Sequence, residues 1–310
     1  MERVEYDEFG LFHENAEEFG LPYEGPPTVR REFVALPDGR RISALVWGTD
    51  DPEYVFLHGG AQNAHTCDTV AMALGRPLVA VDLPGHGHSD GPNEAAGGQL
   101  APVSLAADVA VAVRELAPNA RGVIGMSLGG LTTIALTSVA PELVRSVVLV
   151  DVTPGVDGPK SKVIADFING PESFDSFDDI LARTVEYNPT RTESSLRRGI
   201  LHNAVQRDDG TWVWRYMRFR RPPPESGAPA TDSTADFPQF GVLWDTVAQI
   251  KVPLMLARGM REQSVVDDAD EAKLLEVLPD AEVEHFDEAG HSLQGDMPVE
   301  LAQSVAAFVP

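Results

Sequence analysis

The sequence predicts an α/β protein with a doubly wound, mostly parallel eight-stranded sheet and a helical lid inserted into it. Short, continuously apolar runs alternate with helical stretches, as a parallel sheet covered by helices on both faces requires. The alternation stops between about residues 154 and 240 and resumes near residue 250. The chain has 310 residues, 43% of them hydrophobic, which is enough for one large core and a smaller appended lobe.

The predicted strands begin with a hairpin at the edge of the sheet. Its two strands are joined by Pro37-Asp38-Gly39, a turn in which the glycine takes a positive φ. Six buried strands follow, and right-handed crossovers stack these units into one domain. The helix predicted at about residues 104–117 has Ser104 as its N-cap and one apolar stripe. The eight strands are predicted at residues 32–36, 41–47, 54–57, 78–81, 122–124, 147–150, 254–257 and 283–286.

The interruption of this pattern divides the chain into two domains. We assign residues 1–153 and 241–310 to the core domain and residues 154–240 to the lid. Helical patterns occur in the lid at residues 180–185 and 195–205, without buried strands between them. The apolar positions of such helices must be buried, and the mouth of the core domain offers the surface. The lid is therefore predicted to roof a pocket.

Aromatic and proline residues mark the end of the lid. Trp212, Trp214, Tyr216 and Phe219 alternate at strand-like spacing, which is equally consistent with packing and with substrate contact. The proline-rich residues 222–229 cannot hold a helix and suit a loop or hinge.

Composition excludes several classes of function. The net charge of −24 argues against nucleic acid as a partner, because such binders need clustered Lys and Arg. The single cysteine, Cys67, excludes a disulfide framework and multi-thiolate metal sites, which favours a cytoplasmic location. Eight carboxylates in the first 25 residues are the reverse of a secretory signal, and the apolar runs are too short to span a membrane. The oligomeric state stays open, a homo-oligomer included.

The strongest functional signal is Gly-Met-Ser-Leu-Gly at residues 125–129, a G-x-S-x-G pattern between an apolar strand and a helical stretch. Such a serine lies on a sharp strand-to-helix turn, where both glycines are needed because side chains would collide. The turn lifts the Ser127 hydroxyl above the carboxyl end of the sheet, where open α/β domains bind ligands. This context favours Ser127 as a nucleophile over a plain glycine-rich turn.

With this motif the sequence resembles the α/β-hydrolase fold superfamily, from about residue 29 to the end of the chain. His-Gly-Gly-Ala at residues 58–61 follows the third strand, as the oxyanion loop of that family does. The resemblance implies that the backbone N–H of Gly60, or of Ala61, joins that of Leu128 in binding the oxyanion.

Two further motifs extend the resemblance. Residues 82–89 match the D-x-x-G-x-G-x-S turn that follows the next strand in the family. Ala-Gly-His-Ser at residues 289–292 matches the loop after the last strand, which implies that His291 is the general base for Ser127. Serine before histidine in chain order agrees with the family.

The resemblance also implies a carboxylate that orients His291, and the position of this acid departs from the usual pattern of the family. Most of the family carries it after the penultimate strand, but residues 258–265 contain no aspartate and offer only Glu262, with Asp267 a little beyond. Some haloalkane dehalogenases and zearalenone-lactonase-like members use the end of the strand that here ends in Asp151. We therefore favour Asp151 as the partner of His291, then Asp267, then Glu262. The alternative for Asp151 is a structural carboxylate that caps the following turn.

Other polar residues near these motifs have simpler interpretations. The turn after the fourth strand nearly spells G-x-G-x-x-G, but Asp90 replaces the third glycine, so no dinucleotide cofactor is expected. His86 and His88 could suggest a metal site with Asp82, yet the family turn explains them, and we expect no metal. His58 is predicted to stabilise its loop.

The sequence thus predicts a serine hydrolase that cleaves an ester or lactone bond of a small apolar molecule by two-step acyl transfer. A pocket beneath a lid favours such a substrate. Two alternatives remain open. Hydrolysis of a carbon-carbon bond in a ring-cleavage diketone uses the same Ser and His, and the same fold also serves as a receptor with little turnover.

Overall fold

The computed structural model describes residues 4–93, 100–218 and 240–309. These ranges contain ten strands and eleven α-helices. The strands are β1 (Val29–Ala35), β2 (Arg41–Trp47), β3 (Tyr54–Leu57), β4 (Leu78–Val81), β5 (Gly122–Met126), β6 (Val147–Val150), β7 (Ala204–Gln206), β8 (Trp212–Trp214), β9 (Leu254–Gly259) and β10 (Glu282–Phe286). The helices are α1 (Phe12–Phe19), α2 (Asp68–Leu74), α3 (Pro102–Leu116), α4 (Leu128–Val139), α5 (Lys162–Ile168), α6 (Phe177–Tyr187), α7 (Glu193–Asn203), α8 (Trp244–Val247), α9 (Asp268–Val277), α10 (Leu293–Asp296) and α11 (Pro298–Phe308).

One eight-stranded sheet organises the molecule, with the strand order β1-β2-β4-β3-β5-β6-β9-β10. Strand β2 runs antiparallel to both of its neighbours, and the remaining pairs are parallel. The predicted fold class is therefore confirmed. The edge hairpin also forms as expected, with Val29 opposite Trp47 and Gly39 at a φ of 89° in its turn.

Two apolar layers cover the faces of the sheet. Helices α3 and α4 pack on one face, and their buried residues form one core cluster with Val123, Val147 and Leu256 of the strands. Helices α2 and α11 pack together on the other face, around a second cluster that includes Phe56 and Ile124. Strands β3, β4 and β6 are buried along their whole length, which explains their continuously apolar sequence.

Helix α3 begins two residues before the predicted N-cap. Ala101 occupies the N-cap position and Pro102 starts the helix, whereas Ser104 lies exposed in the first turn. Proline suits a first helical position because its φ is already helical and its missing N–H would be unpaired there. The prediction of Ser104 as the cap is wrong for this reason.

The segment between β6 and β9 contains α6 and α7, where the sequence showed helical patterns, and in addition helix α5 and a short hairpin. The end of the pattern at residues 195–205 becomes strand β7, which pairs with β8. Trp212 packs edge-to-face on Phe177 at a ring-centroid distance of 5.1 Å, which stabilises the hairpin against α6. Phe219 and the proline-rich residues 222–229 lie outside the described residues.

No helix within the described ranges combines the length and the apolar character needed to cross a bilayer.

Candidate active site

Ser127 lies on the sharp turn between β5 and α4. The turn is tight enough to require glycine at the neighbouring positions 125 and 129. Its φ is 50° and its ψ is −117°, a strained conformation for a residue with a side chain. A Cβ on Gly125 would collide with Thr133, and a Cβ on Gly129 would collide with the Leu57 carbonyl. Both glycines are therefore required by close backbone approach, and Ser127 stands at the carboxyl end of the sheet.

Asp151 and His291 meet at the same carboxyl end of the sheet as Ser127. Asp151 follows β6 directly, has a φ of 47° and is fully buried. Its Oδ2 lies 2.9 Å from His291 Nδ1. Because a carboxylate accepts, His291 donates its Nδ1–H and keeps Nε2 as the proton-accepting nitrogen. Ser127 and His291 line the same cavity, although no hydrogen bond joins their side chains.

Three more donors hold the Asp151 carboxylate. Oδ1 accepts hydrogen bonds from the Gly259 N–H at 3.0 Å and the Ser264 hydroxyl at 2.6 Å, and Oδ2 accepts one from the Val265 N–H at 3.1 Å. The end of β9 and the first residues of the loop that follows, which contain no aspartate before Asp267, thus supply the donors that orient Asp151. Sequence reasoning missed Ser264, because nothing local distinguishes it from other loop serines.

The two rival carboxylates are placed elsewhere. Asp267 is the N-cap of α9, accepts from the Asp270 N–H at 2.9 Å and pairs with Lys160 at 2.9 Å. The hydrogen bond from Lys160 lowers the pKa of Asp267. Glu262 is exposed to solvent. Of the three candidates, the structure brings only Asp151 to His291.

The loop after β3 is fixed by a buried histidine. The Ala61 N–H donates to His86 Nε2 at 3.2 Å, and His86 Nδ1 donates to the Pro84 carbonyl at 3.1 Å. Burial lowers the pKa of His86 to about 3, so this ring is neutral, as both hydrogen bonds require. The Ala61 N–H is thus already engaged, which leaves the backbone N–H groups of Gly60 and Leu128 as the candidate donors among those that the sequence suggested.

His58 links the loops that follow β3 and β4. Its Nδ1 donates to the Gly59 carbonyl at 2.7 Å, and its Nε2 accepts from the Leu83 N–H at 2.9 Å. Burial lowers its pKa, which keeps the ring neutral. These contacts agree with the expectation that His58 stabilises its loop.

Two cavities of different character open beside Ser127. The larger has a volume of about 230 Å³ and a wall of mixed polar and apolar side chains, contributed by α1, the loop after β3, and α5, α6 and α7. The smaller has a volume of about 30 Å³. Gly60 and Ser127 line both. The smaller is lined by apolar side chains, among them Leu128, Leu131, Val152, Val156, Ile164, Ile168, Phe240 and Val265. Trp214 lines the larger cavity, whereas Trp212 is buried away from it.

A buried ion network forms part of the wall of the larger cavity. His65 Nδ1 lies 2.8 Å from Asp68 Oδ2, and His65 Nε2 lies 3.1 Å from Glu8 Oε1. Burial alone would lower the pKa of His65, but the charge of Asp68 and the two hydrogen bonds outweigh it and raise the pKa to about 9. His65 is therefore an imidazolium held between two carboxylates.

The same wall contains the residues that come nearest to a metal site. Ligand atoms of His65, Asp68 and His202 all lie within 4.8 Å of one another. However, the His65 and His202 rings are stacked, with centroids 3.9 Å apart and planes inclined by 12°, so one metal ion cannot lie in the plane of both rings. Both nitrogens of His65 already face carboxylates. An ion would have to displace the His65 proton and turn a ring.

Comparisons with known proteins agree with this architecture. The model of the α/β-hydrolase fold family matches residues 55–298. The chain is 41% identical over 307 residues to the esterase Rv0045c of Mycobacterium tuberculosis. The aligned residues cover 96% of this chain and 94% of that protein. A solved structure of that esterase, described together with its inhibition by transition metals, superposes with a TM-score of 0.82 at 40% identity and covers 98% and 99% of the two chains.

A more distant likeness covers most of the chain as well. The sn-1-specific diacylglycerol lipase ABHD11 of Xenopus laevis is 25% identical over 270 residues, or 83% of this chain and 80% of that protein.

Proposed function

The chain belongs to the α/β-hydrolase fold family, and from this premise we propose that it hydrolyses an ester of a small molecule, with Ser127 as nucleophile, His291 as general base and Asp151 as the orienting acid. The observation that carries the proposal is the 2.9 Å contact between Asp151 Oδ2 and His291 Nδ1 beside the Ser127 turn. The likeness to a mycobacterial esterase over almost the whole chain supports ester hydrolysis.

The reaction begins with acylation of Ser127. His291 Nε2 takes the hydroxyl proton while Oγ attacks the ester carbonyl carbon, and Asp151 stabilises the imidazolium that forms. The N–H groups of Gly60 and Leu128 bind the oxyanion of the tetrahedral intermediate, where one such donor typically contributes about 3 kcal/mol. Collapse of the intermediate breaks the bond to the leaving alcohol, which receives the proton from His291.

Deacylation repeats these steps with water as the nucleophile. His291 Nε2 takes a proton from water, and the hydroxide attacks the acyl carbon that is bound to Ser127. The same two N–H groups bind the second oxyanion. Its collapse releases the carboxylic acid and returns the proton to Ser127.

The two cavities limit the size of the substrate. The smaller pocket has room for a short apolar acyl group, and the larger cavity holds the alcohol portion, or the remainder of a lactone ring. We assign residues 154–240 to a lid domain, which is supported by the position of Ile164 and Phe167 of α5 and Tyr187 of α6 in the wall of the larger cavity. A cavity of this size does not accommodate a protein or a polysaccharide chain.

Active-site labelling tests the nucleophile. A fluorophosphonate should modify Ser127 alone, and Ser127→Ala or His291→Ala should lower kcat by about 10⁶-fold, with the double variant little worse than either. Ser104→Ala, an exposed serine on α3, is the matched control and should keep full activity. Labelling of another residue, with Ser127 unmodified, would overturn the assignment.

A substrate panel tests the bond that is cleaved. Short-chain aryl esters should be hydrolysed, and a macrolactone tests whether a ring is accepted. Turnover confined to a ring-cleavage diketone would move the protein to the carbon-carbon hydrolases. Tight binding of a member of the panel without turnover of any would favour the alternative that the protein is a receptor with little turnover.

A further inference from the structure

Two arginines from the inserted segment line the larger cavity, and they differ in their partners. Arg198, on α7, is buried and pairs with Glu18 of α1. Arg191 lies just before α7 and donates to the hydroxyl of Ser195. Among the described residues, no carboxylate oxygen lies within 4 Å of the Arg191 guanidinium, so Arg198 is neutralised at close range and Arg191 is not.

The carboxylates nearest to Arg191 already have other donors. Glu18 accepts from Arg198 and from the Thr192 hydroxyl. Asp296 Oδ2 accepts from the Gly290 N–H at 2.9 Å, and its Oδ1 accepts from the Thr190 hydroxyl at 3.3 Å. Both act on Arg191 only at longer range.

Arg191 is half-buried in the wall of the larger cavity. Burial lowers the pKa of its guanidinium, and the distant charges of Asp296 and Glu18 reverse only part of that shift. A Cβ on Gly295 would collide with the guanidinium, so the absence of a side chain there gives Arg191 its place against α10. A partly desolvated cation without a close counter-ion can form an ion pair with an anion that enters the cavity.

We propose that the larger cavity binds an ester whose alcohol portion carries a carboxylate, and that Arg191 recognises that carboxylate. The inference rests on the proposed ester hydrolysis. A guanidinium matches a carboxylate with two parallel hydrogen bonds. One unpaired positive charge balances a monoanion, whereas a phosphate dianion would need a second free cation, and Arg198 is already paired.

The orientation follows from the two cavities. The smaller pocket beside Ser127 is apolar, so it takes the acyl group. The alcohol portion then extends into the larger cavity that Arg191 lines. Arg191 acts on the leaving-group side, and its effect should fall on acylation, whereas deacylation of the same acyl-enzyme should not depend on it.

A pair of esters that differ in one charge tests the proposal. 4-Acetoxyphenylacetate carries a carboxylate, and its primary amide is neutral and of similar size, while both give the same acetyl-enzyme. The wild-type protein should show the higher kcat/KM for the carboxylate. Arg191→Gln should lower that kcat/KM by about 10- to 100-fold, the range for losing a charge-assisted hydrogen bond, and leave the amide ester nearly unchanged. Arg191→Lys should recover part of the loss.

Arg197→Gln is the matched control, because Arg197 lies on α7, faces solvent and pairs with Glu14 at 3.5 Å. It should leave both esters unaffected. Equal kcat/KM for the two esters in the wild type, or an equal loss for both in Arg191→Gln, would overturn the inference.

Calorimetry separates this inference from the proposed reaction. 4-Hydroxyphenylacetate should bind the Ser127→Ala protein more tightly than its amide, and Arg191→Gln should remove the difference. Preferential binding without ester turnover would refute the reaction and keep the carboxylate site. Turnover with no preference in either assay would refute the carboxylate site and keep the reaction.

Discussion

Two regions that line the larger cavity are built in different ways. The first, called the sheet edge below, is formed by the carboxyl ends of β5 and β6, where Ser127 and Asp151 lie. The second, the facing wall, is formed by α1, α7 and the loop after β3. At the sheet edge, Ser127 and Asp151 each follow a parallel strand directly, and positive φ angles set the direction of their side chains. The facing wall depends on contacts between the side chains of segments that are distant in sequence, such as His65 with Glu8 and Arg198 with Glu18. Backbone geometry places the proposed reacting groups, and ion pairs place the side chains of the opposite cavity wall.

This difference separates the effects of substitutions in the two regions. A change at the sheet edge should act on the chemical step, because its backbone is held by the close contacts of Gly125 and Gly129. A change in the facing wall should act on stability or substrate choice, since no side chain of that wall is hydrogen-bonded to His291 among the described residues. The predictions below test this separation, from the largest effect to the smallest.

After substitutions of Ser127 and His291, Asp151→Asn should give the largest effect at the sheet edge. An amide donates where the carboxylate accepted, so His291 would turn or adopt the wrong tautomer, and kcat should fall by about 10⁴-fold. The substituted side chain also meets the Val265 N–H donor, so a loss of about 1 to 3 kcal/mol in unfolding free energy is expected. Steady-state kinetics and urea denaturation measure the two effects separately.

Glu262→Gln provides the matched control for Asp151→Asn, because Glu262 is an exposed carboxylate in the loop after β9. Its kcat should equal that of the wild type. If Glu262→Gln lost activity while Asp151→Asn retained it, the sheet edge would not supply the acid, and the comparison between the two regions would fail.

The ion network in the facing wall predicts a pH dependence of stability without a change in the chemical step. The pKa of His65 is about 9 in the folded protein and about 6.5 when unfolded. Its stabilisation is fully present below pH 6.5 and is lost as the pH rises towards 9. The loss should reach about 3 kcal/mol. Thermal unfolding between pH 6 and 9.5 measures it.

Of the other groups around His65, Glu8 and His202 change protonation below this window, and burial raises the pKa of Asp68, the direct partner of His65. Hydrogen bonds from His65 and Arg31 outweigh burial and lower the pKa of Glu8 to about 2, so its contribution is lost only as the pH falls through the range from 4.5 to 2. The pKa of the stacked His202 lies well below 6.5. His65→Gln should flatten the alkaline decline, and His13→Gln, at an exposed histidine, should retain it. An unchanged slope in His65→Gln would contradict the network.

The fold class could be predicted from the sequence because its signals are local. Each buried strand is a short apolar run, and the turn at Ser127 carries its own glycines. The start of α3 and the hairpin of β7 and β8 could not be predicted in the same way. Pro102 outweighed Ser104 as a start signal. Strand β7 lay at the end of a helical pattern, so the strand-like spacing of Trp212 and Trp214 in β8 had no visible partner strand in the sequence.

The candidate site likewise contains residues with a local sequence signal and residues without one. Ser127, His291 and Asp151 lie in or beside motifs, and sequence patterns placed them at one edge of the sheet. Ser264 and Arg191 could not be identified, because their importance depends on contacts across more than a hundred residues or on a missing partner. Chain-distant side chains carry no local signal.

Asp267 gives the smallest effect and the sharpest test of the sheet edge. It lies in the loop that usually carries the acid, yet its Oδ1 accepts from the Asp270 N–H at 2.9 Å and caps α9. Asp267→Ala should therefore lower the unfolding free energy by about 1 kcal/mol, the usual value of a lost N-cap. Thermal unfolding measures the change.

Asparagine caps a helix as well as aspartate does, so Asp267→Asn should lose only the ion pair with Lys160 and a few tenths of a kcal/mol. Both variants should keep the wild-type kcat, because the side chain faces Lys160 and not His291. A catalytic acid would behave in the opposite way, since asparagine would abolish its function while preserving the cap. Retained stability with lost activity in Asp267→Asn would therefore transfer the acid from the strand end to this loop.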